Sequence, residues 1–210
     1  MITLFTWKTA DGRKPAIMLE EIGADYEIKL VNLRRKEQFD QDYLKISPNN
    51  KIPAIVDNDG SGAPRILFES GAILLYLAEK SNRLLPASGV RRDEALKWLF
   101  WSSTAIAPMV GQWNYFTKRA EQKVPAAIER FTNEVVRLFK VLEKRLGEQP
   151  YLAQDYSIAD IGAYTRINSA LDALRSQAGA ELGATPGIER WLSDIANRPA
   201  VKRGLEPLKA

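Results

Sequence analysis

The sequence predicts an α/β domain followed by an all-α domain. Short β-prone runs, ITLF (2–5), YEIKLV (26–31), IPAIVD (52–57) and RILFES (65–70), are confined to the first third of the 210-residue chain. After SNRLLPASG (81–89), which carries Pro and Gly, strand signals stop and apolar residues recur at three- and four-residue spacing. That change of period marks a boundary: 1–80 as the α/β domain, 81–90 as linker and 91–210 as the helical domain.

Each element follows from its local pattern. ITLF ends in the polar loop TWKTADGRK (6–14), and PAIMLEEIGA (15–24) then has helical spacing, with Pro15 expected in the first turn. YEIKLV alternates as a strand does, and a short helix is expected around 38–46 in the polar stretch after it. IPAIVD and RILFES flank DNDGSGAPR (57–65), whose Asp, Asn and Gly are hairpin-turn residues, and GAILLYLAEK (71–80) closes the section as a helix. The order is βαβ, a loosely helical connection, then ββα. Beyond the boundary, 91–117, 125–147, 157–175 and 186–197 are the expected helices. Ser157 and Asp160 have the spacing of a capping box, with Tyr156 and Ile161 as staple partners, and their expected role is structural.

Composition narrows the chemistry. With no Cys and no His, the chain has no thiol nucleophile, no thiolate metal site and none of the commonest general base, so thiol chemistry must arrive with a ligand. No metal site is expected. Net charge is +4, and most Lys and Arg alternate with Glu and Asp, as in RRDEALK (91–97), which predicts solvated helix faces rather than a nucleic-acid surface. The longest apolar run, AILLYLA (72–78), is too short to cross a bilayer, and no h-region follows the N-terminus. The expectation is a soluble, cytoplasmic protein.

Two features suit a ligand. Pro53 cannot donate to a sheet ladder, so at a strand start it is expected on an edge, leaving the Ile52 backbone to bind an extended peptide or simply to form a rigid turn. Glu69 and Ser70 precede an apolar helix, where backbone N–H groups and the helix dipole favour a carboxylate while Glu69 meets an ammonium group; an ordinary helix start is the alternative.

SPNNKIPAIVD (47–57), FESGAILLYLAEK (68–80), WLFW (98–101), PMVGQ (108–112) and AIERF (127–131) resemble cytosolic glutathione transferases, with the nearest likeness to the bacterial Nu class, glutathione-dependent disulfide-bond oxidoreductases related to a yeast nitrogen regulator. The resemblance spans the whole chain. It implies a thioredoxin-like βαβαββα domain, a helical bundle, a homodimer and glutathione as cosubstrate. It places the Ile52 backbone, beside a cis Pro53, against the cysteinyl part of glutathione, and Glu69 and Ser70 at the γ-glutamyl end. Gln38 and Asn50, with Lys51 nearby, would meet the glycine end, and Arg130 matches a ligand-contacting arginine of the class.

The same resemblance puts Thr9 where other transferases carry a Tyr, Ser or Cys, as donor to the ligand's thiolate. Asp11 stands where the class has Asn. An ionised Asp cannot donate and would raise the thiol pKa if it faced inward, so it is expected either to face away, capping the next helix or pairing with Arg13 or Lys14, or to weaken thiol activation. The implied reaction is thiol-disulfide exchange between bound glutathione and a small disulfide. Conjugation or peroxidase activity on apolar electrophiles or hydroperoxides is an alternative, with Trp7, Met109, Trp113 and Phe116 either as lining or as ordinary helix core, and a non-catalytic ligand-binding or regulatory role is another.

Overall fold

The computed structural model describes residues 1–59 and 62–208. Gly60 and Ser61 of the expected hairpin turn, and Lys209 and Ala210 at the end of the expected helical domain, lie outside the described residues. The chain forms two compact units, one of Met1–Ala87 with the chain from Ala196 onward, the other of Ser88–Ile195.

In the first unit, β1 (Ile2–Thr6) leads through the polar loop to α1 (Ala10–Ile22), then β2 (Tyr26–Leu30), short helical turns and α2 (Gln41–Leu44). β3 (Ala54–Asp57), β4 (Arg65–Phe68) and α3 (Ser70–Ser81) complete the α/β pattern. The sheet order is β2-β1-β3-β4, with β1 parallel to β2 and the β1–β3 and β3–β4 pairs antiparallel. Leu4 and Ile55 pair across the middle of the sheet and are fully buried, as are Ile17 of α1 and Leu74 of α3.

Two local expectations need correction. α1 starts five residues before the segment read as its beginning, because Thr9 caps it, so Pro15 lies in the second turn rather than the first. β3 is an interior strand, so Pro53 is not on an edge; it is tolerated because the β3 ladder starts one residue later, at Ala54.

The chain from Ala196 belongs with the first unit, whereas periodicity alone places all of 91–210 in the helical domain. α9 (Pro199–Leu205) packs on α1. Arg198 forms a fork on the Glu21 carboxylate at 2.6 and 2.9 Å, Arg203 meets Glu20 at 2.6 Å, and Arg13 donates to the Leu208 carbonyl at 3.0 Å. Gly204 permits the approach: a Cβ there would lie 2.8 Å from the Ile17 backbone.

The second unit holds α4 (Val90–Trp101), α5 (Ala107–Asn114), α6 (Pro125–Glu148), α7 (Ile158–Leu182) and α8 (Pro186–Ala196). π-helical turns at Ser102–Ile106 and Tyr115–Arg119 follow α4 and α5, so the helix expected over 91–117 is not uniformly α. Trp113, Phe139, Ile161 and Trp191 are fully buried in this core. The capping box forms, with the Ser157 hydroxyl accepting from Ala159 N at 3.3 Å and Asp160 accepting from Ser157 N at 3.0 Å. Asp160 also accepts from Leu152 N at 3.0 Å and from Trp191 Nε1 at 2.8 Å. Burial pushes its carboxyl up to about 6, against these hydrogen bonds, which favour the ionised form.

Candidate active site

Sheet register gathers the first-unit residues singled out in the sequence. Phe5 pairs with Ala54, and Ala54 with Phe68, so the end of β1, the start of β3 and the end of β4 form one row. Thr6 at the end of β1 pairs with Leu30 at the end of β2. The loops carrying Thr9, Gln38, Asn50–Pro53 and Glu69–Ser70 therefore all leave the same end of the sheet.

In the first loop, Thr9 is the N-cap of α1, in an extended conformation, and its Oγ1 accepts from Gly12 N at 3.0 Å. That uses a lone pair and leaves the hydroxyl proton free to donate. Thr6 Oγ1 donates to the Gly12 carbonyl at 2.7 Å, pinning the turn from inside. Gly12 is required by space, since a Cβ there would stand 2.6 Å from Thr6 Oγ1. The positive end of the α1 dipole thus lies at a cap whose hydroxyl can donate outward.

Asp11 is paired along α1. Its Oδ1 is 2.7 Å from the Lys14 ammonium, and Lys14 is buried, so the carboxylate is engaged by a buried lysine one turn along α1. Pairing with Lys14 is one of the arrangements the sequence allows, and it sets the local charge close to neutral.

Two residues of the site, one in the loop before β3 and one at the start of α3, have positive φ. Asn50 is left-handed, at φ 47°, and donates its N–H to the Ser47 carbonyl at 2.9 Å. The Ile52–Pro53 peptide is cis, with Pro53 buried and Ile52 half-buried. Glu69, at φ 71°, is a non-glycine residue in a sparsely populated region, held at the start of α3 with its side chain exposed. Such conformations cost about 1–3 kcal/mol and concentrate at ligand sites. Asn49 Nδ2 approaches Glu69 Oε1 at 3.5 Å. Ser70 opens α3, half-buried. Gln38 lies in the 3₁₀ turn Glu37–Phe39, and its buried Oε1 accepts no hydrogen bond among the described residues.

Arg130 belongs to the other unit. It lines a cavity of about 720 Å³ on α5 and α6 with Met109, Glu129, Phe131, Glu134 and Arg137. Arg137 is committed to Glu134 through two bonds of 2.8 and 2.7 Å, while Arg130 makes no ion pair among the described residues. Of the aromatics expected to line an electrophile pocket, Trp113 is fully buried core and Phe116 stacks on Phe131 at 5.4 Å.

Not expected from the sequence are the burial of Lys14, the cap at Thr9, and the support of the neighbouring loop by Tyr43 and Ser47, which donate to the Lys51 carbonyl, and by Asn49 beside Glu69. The cap was findable: Thr followed by Ala-Asp-Gly ahead of an amphipathic segment is an N-terminal signature.

Comparison with known proteins agrees with this architecture. The model of the glutathione S-transferase N-terminal domain matches residues 1–79, and that of the C-terminal domain matches 106–199. The disulfide-bond oxidoreductase YfcG of Escherichia coli (strain K12) is 43% identical over 209 residues, covering 98% of this chain and 94% of that protein. A glutathione transferase family member from Pseudomonas fluorescens pf-5, solved with two glutathione bound, has a TM-score of 0.91 at 41% identity, covering 98% of this chain and 92% of the other. A glutathione transferase from Pseudomonas putida, with one glutathione disulfide bound per subunit, has a TM-score of 0.91 at 38% identity, covering 98% and 90%. With its thioredoxin-like sheet, its helical second unit and this likeness along nearly the whole chain, the protein belongs to the glutathione transferase family.

Proposed function

We propose that this chain is a glutathione-dependent disulfide-bond reductase of the Nu type, cytoplasmic and homodimeric. The carrying observation is the Thr9 cap: its hydroxyl takes one hydrogen bond from Gly12 N and keeps its own proton for a thiolate at the positive end of α1. The site fits glutathione in its other parts. The Ile52 backbone precedes the sheet ladder and is open to the cysteinyl part; Glu69 and the start of α3 at Ser70 suit the ammonium and carboxylate of the γ-glutamyl end. Gln38 and Asn50 serve the glycine end, with Lys51 exposed nearby. Arg130 is the cation for a ligand carboxylate in the helical unit, and Asp11 acts through Lys14 rather than on sulfur.

The reaction needs no cysteine in the protein. Glutathione thiolate attacks one sulfur of a small disulfide, the S–S bond breaks, and the other sulfur leaves as thiolate, taking a proton from water. A second glutathione thiolate attacks the mixed disulfide at the glutathione sulfur, releasing the second product thiolate and glutathione disulfide. Two glutathione molecules supply the two electrons. The protein lowers the thiol pKa, positions the sulfurs and forms no covalent intermediate.

The likeness to a disulfide-bond oxidoreductase and to structures holding two glutathione or one glutathione disulfide supports this reading over conjugation. Burial of Trp113 removes one of the lining residues conjugation would use. The test is glutathione-dependent reduction of bis(2-hydroxyethyl) disulfide alongside conjugation of an aryl halide: disulfide turnover supports the proposal, and aryl halide activity alone refutes it.

A further inference from the structure

The Lys51–Ile52 peptide before cis-Pro53 is anchored through its carbonyl. Two hydroxyls converge on the Lys51 carbonyl oxygen: Tyr43 Oη at 2.7 Å and Ser47 Oγ at 2.8 Å. Both donors are buried, Tyr43 at 6 % exposure and Ser47 at 0 %. They come from one short piece of chain, since α2 carries Tyr43 and the Ser47 N–H donates back to the Tyr43 carbonyl at 2.8 Å. The Tyr43 ring packs against Phe5 with centroids 6.2 Å apart, which fixes the donor relative to β1.

Lys51 C=O and Ile52 N–H belong to the same peptide plane and point in opposite directions across it. Holding the carbonyl inward on two buried hydroxyls turns the Ile52 N–H outward. We propose that Tyr43 and Ser47 are positioning residues of the glutathione site: together they fix the Lys51 carbonyl and thereby aim the Ile52 N–H at the cysteinyl carbonyl of the ligand. This rests on the glutathione reading above. A carbonyl oxygen has two lone pairs, so each hydroxyl backs up the other, and the loss of both exceeds the product of the single losses. Burial pushes the Tyr43 phenol up to about 12, so it remains a donor across the working pH range of thiol exchange.

The experiment compares Tyr43→Phe, Ser47→Ala and the double variant by calorimetric titration with glutathione and with its analogue in which the cysteinyl–glycine amide is an ester, a poorer carbonyl acceptor. The expected result is a Kd raised about two- to threefold in each single variant and about twentyfold or more in the double. The ester should also weaken binding to the parent more than to the double variant, because only an aimed N–H senses acceptor strength. The kinetic loss should fall on KM for glutathione more than on kcat, whereas a merely structural role would lower Tm and leave ester discrimination intact. Double-variant binding within about twofold of the parent, or undiminished ester discrimination, overturns the proposal. If the double variant does not fold, the single variants decide: unchanged Kd in both overturns it. A parent that binds no glutathione removes the underlying reading together with the clamp; a parent that binds, with variants that bind equally well, removes the clamp alone.

Discussion

Thr9 carries two separable jobs, and its substitutions separate them. Its Oγ1 caps α1 by accepting from Gly12 N at 3.0 Å, and its proton is offered to the ligand's thiolate. Thr9→Ala removes both: the lost cap costs about 1 kcal/mol, which in a chain of this size lowers Tm by about 2–4 °C. The lost hydrogen bond to a charged sulfur is worth about 1.5–3 kcal/mol, or roughly ten- to 150-fold in kcat/KM. Thr9→Asp keeps a good cap acceptor but replaces the donor with a negative charge, so it should hold Tm while losing at least as much activity. Thr9→Ser should retain both functions. Initial rates with bis(2-hydroxyethyl) disulfide, coupled to glutathione reductase and NADPH, are read beside thermal unfolding. If Thr9→Ala stays within about threefold of the parent in rate while Tm falls, or if Thr9→Asp is fully active, Thr9 is a cap and nothing more.

Other outcomes follow from the same geometry. Arg130→Ala should raise KM for glutathione or for a charged disulfide about five- to tenfold, whereas Arg137→Ala, which removes a guanidinium already committed to Glu134, should change it less than about twofold in the same assay. Asp11→Ala removes the carboxylate from buried Lys14 and should lower stability to urea by about 1–3 kcal/mol while changing turnover less than Thr9→Ala does. Asp160 binds its proton more tightly when folded, with a carboxyl at about 6 against an ordinary value of 3.8, so its contribution makes stability fall as pH rises from 4 to 6. Urea denaturation across that window should show the slope flatten in Asp160→Asn. Gly204→Ala should destabilise by about 1–3 kcal/mol by pushing α9 off the Ile17 backbone, seen as a lower urea midpoint.

What could be read in advance was what depends on short-range pattern. The four strands, the helix from Ser70 and the capping box at Ser157 follow from period, turn residues and cap chemistry within a few positions of one another. The Glu69–Ser70 helix start follows from the same local pattern, whereas Thr9 and Asn50 are singled out by family resemblance. Features set by distant partners were hidden. Pro53 suggested an edge, but only the pairing of β3 with both β1 and β4 shows that the strand is interior. No helix is expected beyond residue 197, and nothing local announces that α9 forms there or that Arg198 and Arg203 find Glu21 and Glu20 on α1. Pairing of Lys14 with Asp11 is among the expected arrangements, but its burial is not, because its helix begins five residues earlier than its apolar period suggests.

Steady-state turnover of a small disulfide by the purified protein with glutathione and glutathione reductase tests the proposed reaction most directly. Sustained turnover is expected, dependent on glutathione and proceeding without any protein thiol, since the chain has no cysteine. Glutathione binding with no disulfide turnover, or activity confined to aryl halide electrophiles, would contradict it.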